Sequence, residues 1–429
     1  MKKILTLLLV LSVSNLLLNA QTGVWSGALE VGGSKLELEF SFNDDGCQLS
    51  VPAQGAKGIR TQLTKPFPGM VSIQIPLIGA SYDGLMKSDT LIEGTYRQNG
   101  MTLPLRLTPN SKQRLRPQTP TAPFPYTTEE VSWSVADATL SGTLTLPEKY
   151  NKNTPVVVMV TGSGLQNRDE ELMEHKPFAV LADALARQGI ATLRYDDRGF
   201  GRSTGNGVTA TTYDFRDDAL GGISLLRQRG FSRVGIMGHS EGGTIALLIA
   251  ADGKVDFAIS LAGMAVSGKE TLIQQNRDIL TLSQVPASLV DLYSQALDEI
   301  FTAAIKQRPF NNYDAYKGLG ENLLTNLRAV DQQARSTWFN AFLNIDASAE
   351  LKKIRCPLLA LNGTKDIQVN HEINLQAIQQ AVPQATIRRF EGLNHLFQHC
   401  TTGMVTEYIE IEETISPEVI ESIIQWIKQ

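Results

Sequence analysis

Five short, almost wholly apolar segments constrain the fold of this chain most strongly. Helical patterns lie between them, for example at 178–188 and 213–229, and a hairpin-like pattern at 131–147 precedes them. Strands that are apolar at nearly every position are typical of a parallel sheet covered by helices on both faces. The segments therefore predict an α/β fold, and they are residues 156–160, 190–193, 234–237, 257–261 and 358–361.

The alternation of strands and helices is interrupted once. Residues from about 267 to 349 show helical patterning alone and are rich in Gln, Leu and Ala. Amphipathic helices need a partner against which to bury their apolar faces. We therefore predict a helical cap, inserted into the α/β domain, that lies over the sheet.

Residues 21–108 carry a different pattern, in which apolar and polar residues alternate and turn sequences such as Asn99-Gly100 separate the runs. This alternation gives each strand one buried and one solvated face, and it predicts a small antiparallel all-β domain. The segment contains no histidine, so we expect an accessory domain without a catalytic base. A Pro-rich linker at 109–125 leads to the predicted catalytic domain at 126–429.

The start of the chain has the pattern of a secretory signal peptide at 1–20, with Lys2 and Lys3 before an apolar run that ends at Asn19-Ala20. A membrane anchor is the alternative. Polar residues interrupt the run, however, and it is shorter than the roughly 20 residues that span a bilayer. We therefore expect an exported protein, periplasmic or secreted, without a membrane span.

Charge and composition exclude several classes of partner. The chain has 39 Lys and Arg against 44 Asp and Glu, so it has no basic excess with which to bind nucleic acid. Its 3 cysteines are too scattered for a zinc site or a disulfide framework. A near-match to a phosphate-binding loop at 263–270 has Glu270 where Ser or Thr would hold magnesium. Asp196-Asp197 lacks metal-ligand spacing and is expected to form a solvated turn with salt bridges. We predict no metal and no cofactor.

The sequence Gly238-His239-Ser240-Glu241-Gly242-Gly243 follows one predicted strand and precedes a helix-forming run. At such a strand-to-helix turn, a G-x-S-x-G sequence exposes a nucleophilic serine, and small residues on either side of it avoid clashes. The alternative is a helix-opening turn without chemistry. The residues that follow later in the chain favour Ser240 as a nucleophile.

A serine hydroxyl needs a neighbouring imidazole to remove its proton, and the chain contains 5 histidines. In open-sheet hydrolases an acid follows a late strand and the histidine comes after it on a loop. Asp366 and His395 fit this order, as orienting acid and general base. His399 is the alternative base, whereas His239 is expected to point away from Ser240 and to pack or orient its neighbours.

The oxyanion of a tetrahedral intermediate needs two convergent backbone N–H groups. The elbow supplies one from Glu241. The glycine-rich loop after the first apolar strand is expected to supply the other, from Ser163. The predicted pocket residues are Gly164, Leu165, Trp338 and Phe339.

Together with the elbow, the sequences GSGLQNRDE at 162–170 and YDDRGFGRS at 195–203 resemble the α/β-hydrolase superfamily. They are most similar to bacterial carboxylesterases related to dienelactone hydrolase and to prolyl-oligopeptidase-like serine hydrolases. The resemblance extends over about 131–429. It implies an α/β-hydrolase fold and a structural turn at Arg198-Gly199. Thr161 departs from the family, in which histidine often precedes the glycine.

These observations predict a serine hydrolase that cleaves carboxylic esters of short to medium acyl chain through an acyl-enzyme, with a small-molecule ester as its partner. The first alternative is a serine peptidase of the same fold, an aminopeptidase or prolyl-oligopeptidase-like enzyme, in which Glu170, Glu171 or Glu174 would bind a substrate ammonium group. A non-catalytic glycan-binding protein is the second alternative, and a complete triad argues against it.

Overall fold

A computed structural model describes residues 24–31, 34–43, 46–64, 66, 70–88, 91–110 and 116–429. The predicted signal peptide lies outside the described residues, so that export stays a prediction. The chain divides into two compact units, which are residues 1–115 with Tyr408–Glu412, and Arg116–Glu407 with Glu413–Gln429.

The first unit is an antiparallel sheet in the order β4-β3-β2-β1-β9-β8-β7-β6-β5. Alternate residues of its strands are buried, as Cys47, Leu49 and Val51 are in β3, and they form one apolar core. The predicted antiparallel all-β domain is confirmed. Its strands are β1 (Val24–Val31), β2 (Ser34–Asn43), β3 (Gly46–Val51), β4 (Ala56–Arg60), β5 (Gln62–Thr64), β6 (Met70–Ile75), β7 (Ala80–Ser88), β8 (Leu91–Gln98) and β9 (Met101–Pro109).

The second unit contains an eight-stranded sheet in the order β10-β11-β13-β12-β14-β15-β16-β17. Strands β10 and β11 form an antiparallel hairpin that pairs with β13, and the remaining pairs are parallel. The strands are β10 (Tyr126–Val135), β11 (Ala138–Pro147), β12 (Val156–Val160), β13 (Ala191–Tyr195), β14 (Val234–His239), β15 (Phe257–Leu261), β16 (Leu358–Gly363) and β17 (Thr386–Phe390).

The central strands of this sheet are buried on both faces, since every residue of β12, β14, β15 and β16 is buried. Separate apolar clusters pack against the two faces. The predicted α/β-hydrolase fold is confirmed, and each of the five apolar segments contributes to a strand of the sheet. The carboxyl ends of β14 and β16 point to the same edge, where ligands of open α/β sheets bind.

Helices of the second unit cover the sheet or form the insertion. The insertion lies between β15 and β16 and contains α4 to α8 with a 3₁₀ helix at Tyr313–Leu319, as predicted. The helices are α1 (Pro177–Arg187), α2 (Thr212–Gln228), α3 (Glu241–Ala251), α4 (Gly268–Leu282), α5 (Ala287–Ile305), α6 (Gly320–Gln333), α7 (Thr337–Leu343), α8 (Ala347–Leu351), α9 (His371–Ala381) and α10 (Pro417–Ile427).

Within the described ranges, no helix combines the length and the apolar character that crossing a bilayer requires.

Candidate active site

Ser240 lies at the sharp turn between β14 and α3. Its backbone has φ 56° and ψ −118°, a conformation that residues with a side chain rarely adopt. The Ser240 N–H donates to the carbonyl of Leu261 at 2.8 Å, which ties the turn to the end of the neighbouring strand β15. Strain that the surrounding structure maintains in this way is characteristic of functional sites.

The glycines around Ser240 allow this turn to pack closely. A Cβ atom at Gly242 would lie 2.1 Å from the carbonyl oxygen of Val160, and a Cβ atom at Gly238 would lie 1.9 Å from that of Gly242. Both distances are far below any real Cβ contact. The close approach of backbone atoms to both glycines therefore supports the expectation that the elbow needs small residues.

We expect Gly238→Ala to destabilise the second unit by more than about 3 kcal/mol, because backbone atoms on both sides of the elbow would have to move. Urea or thermal unfolding measures the effect. Gly318→Ala is the control, since its Cβ would meet no atom closer than 3.6 Å, at Leu292. Equal stability of the two variants would contradict the packing described for the elbow.

Asp366 follows β16 and His395 follows β17, and the structure brings the two together. Nδ1 of His395 is 2.7 Å from Oδ2 of Asp366, and both side chains are buried. The backbone N–H groups of Gln368 and Val369 donate to the other carboxylate oxygen at 2.8 and 2.9 Å. With Nδ1 donating to Asp366, Nε2 of His395 is left to accept a proton.

His399, the alternative base, has different surroundings. Its side chain is 61% exposed and its Nδ1 lies 2.9 Å from Oε2 of Glu413. His395, four residues earlier, has a side chain that is only 5% exposed. The loop therefore holds one histidine in the interior beside Asp366 and one at the surface.

His239 turns its ring toward the loop that carries His395, and the two ring centroids are 4.7 Å apart. Its Nε2 is 2.9 Å from the carbonyl oxygen of His395, and its Nδ1 is 2.9 Å from Oε1 of Glu170. These contacts agree with an orienting role. The sequence did not indicate that Glu170 would be the partner.

The loop after β12 is held in place by Asp197. The Thr161 hydroxyl donates to the Asp197 carboxylate at 3.0 Å and the Gln166 N–H at 2.7 Å, so one side chain fixes both ends of the loop that contains Ser163. Burial raises the pKa of the Asp197 carboxyl well above its usual range, against the effect of these hydrogen bonds.

Asp196 forms the expected salt bridge, with Arg168 at 2.9 Å. The expectation of a solvated turn is wrong, because both aspartates are buried, at 4% and 5% exposed.

Glu241 is the first residue of α3, so its N–H is among those at a helix start that lack an acceptor within the helix. Its buried side chain accepts hydrogen bonds from the hydroxyls of Thr212 and Ser163. Nε1 of Trp338, in the insertion, donates to it at 3.1 Å. Burial raises the pKa of the Glu241 carboxyl, and the three hydrogen bonds act in the opposite direction. The two residues predicted to supply oxyanion N–H groups are thus also joined through their side chains.

Of the predicted pocket residues, Trp338 reaches the elbow through Glu241. Phe339 packs edge-on against Trp338 and lies at a tilt against Phe301. Gly164 has a left-handed backbone, with φ 93°. Their role as pocket residues stays a prediction.

An open groove of about 590 Å³ on the insertion is lined by other residues, among them Asp298, Lys306 and Phe310. In the described part of the chain, no group of three or more His, Cys, Asp or Glu side chains is arranged to hold a metal ion.

Comparison with known proteins identifies a family and several similar proteins. A model of the serine aminopeptidase (S33) family matches residues 173–399, more than half of the chain. Esterase EstD of Thermotoga maritima is 28% identical over 294 residues. That match covers 67% of this chain and 65% of the relative, so the chain spans slightly less than two thirds of that protein's length.

Solved structures similar to this chain include the enol-lactonase from Burkholderia xenovorans LB400, at 18% identity and a TM-score of 0.42. That match covers 70% of this chain and 100% of the other. Another is a proline iminopeptidase from Mycobacterium smegmatis, at 16% identity and a TM-score of 0.44, with 70% of this chain and 98% of the other covered.

Proposed function

Because the chain belongs to the serine aminopeptidase (S33) family and has the α/β-hydrolase fold, we propose that it is an exported serine carboxylesterase. Its substrates are carboxylic esters of short to medium acyl chain. The observation that carries the proposal is the buried 2.7 Å contact between His395 and Asp366, at the same sheet edge as the strained Ser240. A relative named as an esterase adds support.

In the proposed reaction, Nε2 of His395 takes the proton of the Ser240 hydroxyl as its oxygen attacks the ester carbonyl. Asp366 holds the imidazole by Nδ1 and stabilises the imidazolium that forms. The N–H groups of Glu241 and Ser163 bind the oxyanion. His395 then donates its proton to the departing alcohol, which leaves an acyl group on Ser240. A water molecule, deprotonated by His395, releases the acid and restores the enzyme.

A serine aminopeptidase is the second candidate, and the family's description favours it. An aminopeptidase needs a fixed anion to bind the substrate's ammonium group. Of the three carboxylates considered for this role, Glu170 bonds to His239 and to the Gly162 N–H, Glu171 lies 3.6 Å from Lys176, and Glu174 is exposed. Since two have partners and the third is solvated, we favour the ester.

We expect kcat/KM for p-nitrophenyl esters of short to medium acyl chain to exceed that for aminoacyl anilides by at least about a hundredfold, or roughly 2.7 kcal/mol. An ester's leaving group needs less protonation than an amine, and none of the three carboxylates considered above supplies an anchor that would compensate for this difference. Purified wild-type protein and Ser240→Ala, assayed with both substrate series, provide the measurement and its control. Anilide cleavage that equals ester cleavage and disappears in Ser240→Ala would establish the peptidase instead.

A further inference from the structure

We propose that Glu170 and His239 act as a pair of positioning residues that holds the loop carrying His395 in register with the loop carrying Ser163. The inference rests on the proposed function, and it gives these two residues a role in the hydrolysis in addition to the roles of the triad. Neither residue needs to touch the substrate for this role.

The pair lies in one continuous chain of hydrogen bonds. The Gly162 N–H donates to Oε1 of Glu170 at 2.9 Å, and the same oxygen is 2.9 Å from Nδ1 of His239. Nε2 of His239 then donates to the carbonyl of His395 at 2.9 Å. The chain therefore connects the oxyanion loop after β12, the nucleophile elbow and the loop of the base.

The protonation of His239 follows from these partners. A carbonyl oxygen can only accept, so Nε2 carries a proton, and Nδ1 faces a carboxylate oxygen that already accepts from Gly162. Burial lowers the pKa of His239, but the charge of Glu170 and the hydrogen bonds with Glu170 and the His395 carbonyl raise it overall. An imidazolium paired with a carboxylate satisfies every partner in this chain.

The charge balance also matters for His395, which must become an imidazolium during the reaction. An unpaired cation on His239, whose ring centroid is 4.7 Å from that of His395, would oppose this step. The negative charge of the Glu170 carboxylate balances the positive charge of the His239 imidazolium, so the pair adds no net charge next to His395. The pair can thus fix the loop by strong, charge-assisted hydrogen bonds at no net charge.

The backbone of Glu170 is a second, independent sign that its position is specified. Glu170 has φ 54° in the left-handed region, although it is not glycine, and it is only 3% exposed. Its N–H donates to the carbonyl of Asn167 at 2.9 Å, which closes the turn. A buried, charged side chain on a strained turn is costly unless the interactions it makes are needed.

The test uses the full-length protein and four variants: Glu170→Gln, Glu170→Ala, His239→Phe and the double variant Glu170→Ala with His239→Phe. We expect Glu170→Ala and His239→Phe each to lower kcat by about 30-fold, because small displacements of catalytic groups have effects of this size. The KM of each variant should stay within about threefold of the wild-type value. Glu170→Gln keeps an acceptor for Gly162 and should recover part of the loss. The double variant should be little worse than the poorer single variant, since both changes break one chain.

The second readout is the rate at which a fluorophosphonate labels Ser240, measured on the folded fraction. Glu413→Gln is the matched control, since it removes the carboxylate that pairs with the exposed His399 instead of the one that pairs with His239, and it should label at the wild-type rate. Wild-type protein that is not labelled would overturn the proposed function itself. A labelled wild type with unchanged rates in folded Glu170→Gln and His239→Phe, a rise in KM at constant kcat, or additive losses in the double variant would overturn the positioning role alone.

Discussion

Replacement of Ser240 by alanine is expected to lower kcat/KM for esters by at least about 10⁴-fold, or roughly 5.5 kcal/mol of transition-state stabilisation. Without the hydroxyl there is no acyl-enzyme, and only the oxyanion N–H groups and the binding of substrate remain. The measurement is the hydrolysis of a p-nitrophenyl ester by purified wild type and variant at equal concentration.

Thermal unfolding of Ser240→Ala provides the control for this loss. The backbone strain at residue 240 stays in the variant, because alanine is also an L-residue with a Cβ, so we expect stability close to that of the wild type. A folded variant that retains more than about a tenth of the activity would show that another group is the nucleophile.

The second large effect concerns the general base. His395→Ala is expected to lower kcat by about 10⁴-fold, because the seryl proton then has no acceptor oriented by Asp366. His399→Ala, four residues further along the same loop, should change kcat by less than about threefold, since its imidazole is 61% exposed and contacts Glu413. Steady-state kinetics of the two variants side by side gives the comparison.

The opposite pattern, with His399→Ala inactive and His395→Ala active, would show that the assignment of the base is wrong. Losses of equal size in both variants, together with lower melting temperatures, would instead indicate that the loop as a whole had been disrupted. The side-chain oxygen of Asn394 accepts hydrogen bonds from the N–H groups of Leu396 and Gln398 at 3.0 Å, and neither substitution removes any of these groups.

Much of the fold was predictable because burial on both faces leaves a clear signal. Strands such as β12, with five consecutive buried residues, can be recognised from composition alone. Strand β17 was not predicted, since Phe390 is the only buried residue in it and the other four residues show no apolar run. The segment Tyr408–Glu412 belongs to the first unit, although about 300 residues of the chain separate it from β9. No local sequence pattern indicates that a segment so distant in the chain belongs to that unit.

The residues of the candidate site were predictable as far as chain order reflects the geometry of the sheet. Asp366 and His395 follow late strands, and the structure brings them within hydrogen-bonding distance. The pairing of Glu170 with His239 could not be predicted, because 69 residues separate the partners and the glutamate lies in an irregular turn. The expectation for Asp197 failed for a related reason, since burial of a loop depends on what packs over it.

The most direct test of Ser240 as the nucleophile is to locate a covalent adduct. Residues 234–254 form one tryptic peptide, VGIMGHSEGGTIALLIAADGK, in which Ser240 is the only serine. After treatment with a fluorophosphonate and digestion, mass spectrometry is predicted to find one phosphonylated residue per chain, Ser240 in this peptide, and almost none in His395→Ala. An adduct on a different serine, or an active esterase that carries no adduct, would contradict the assignment of Ser240 as the nucleophile.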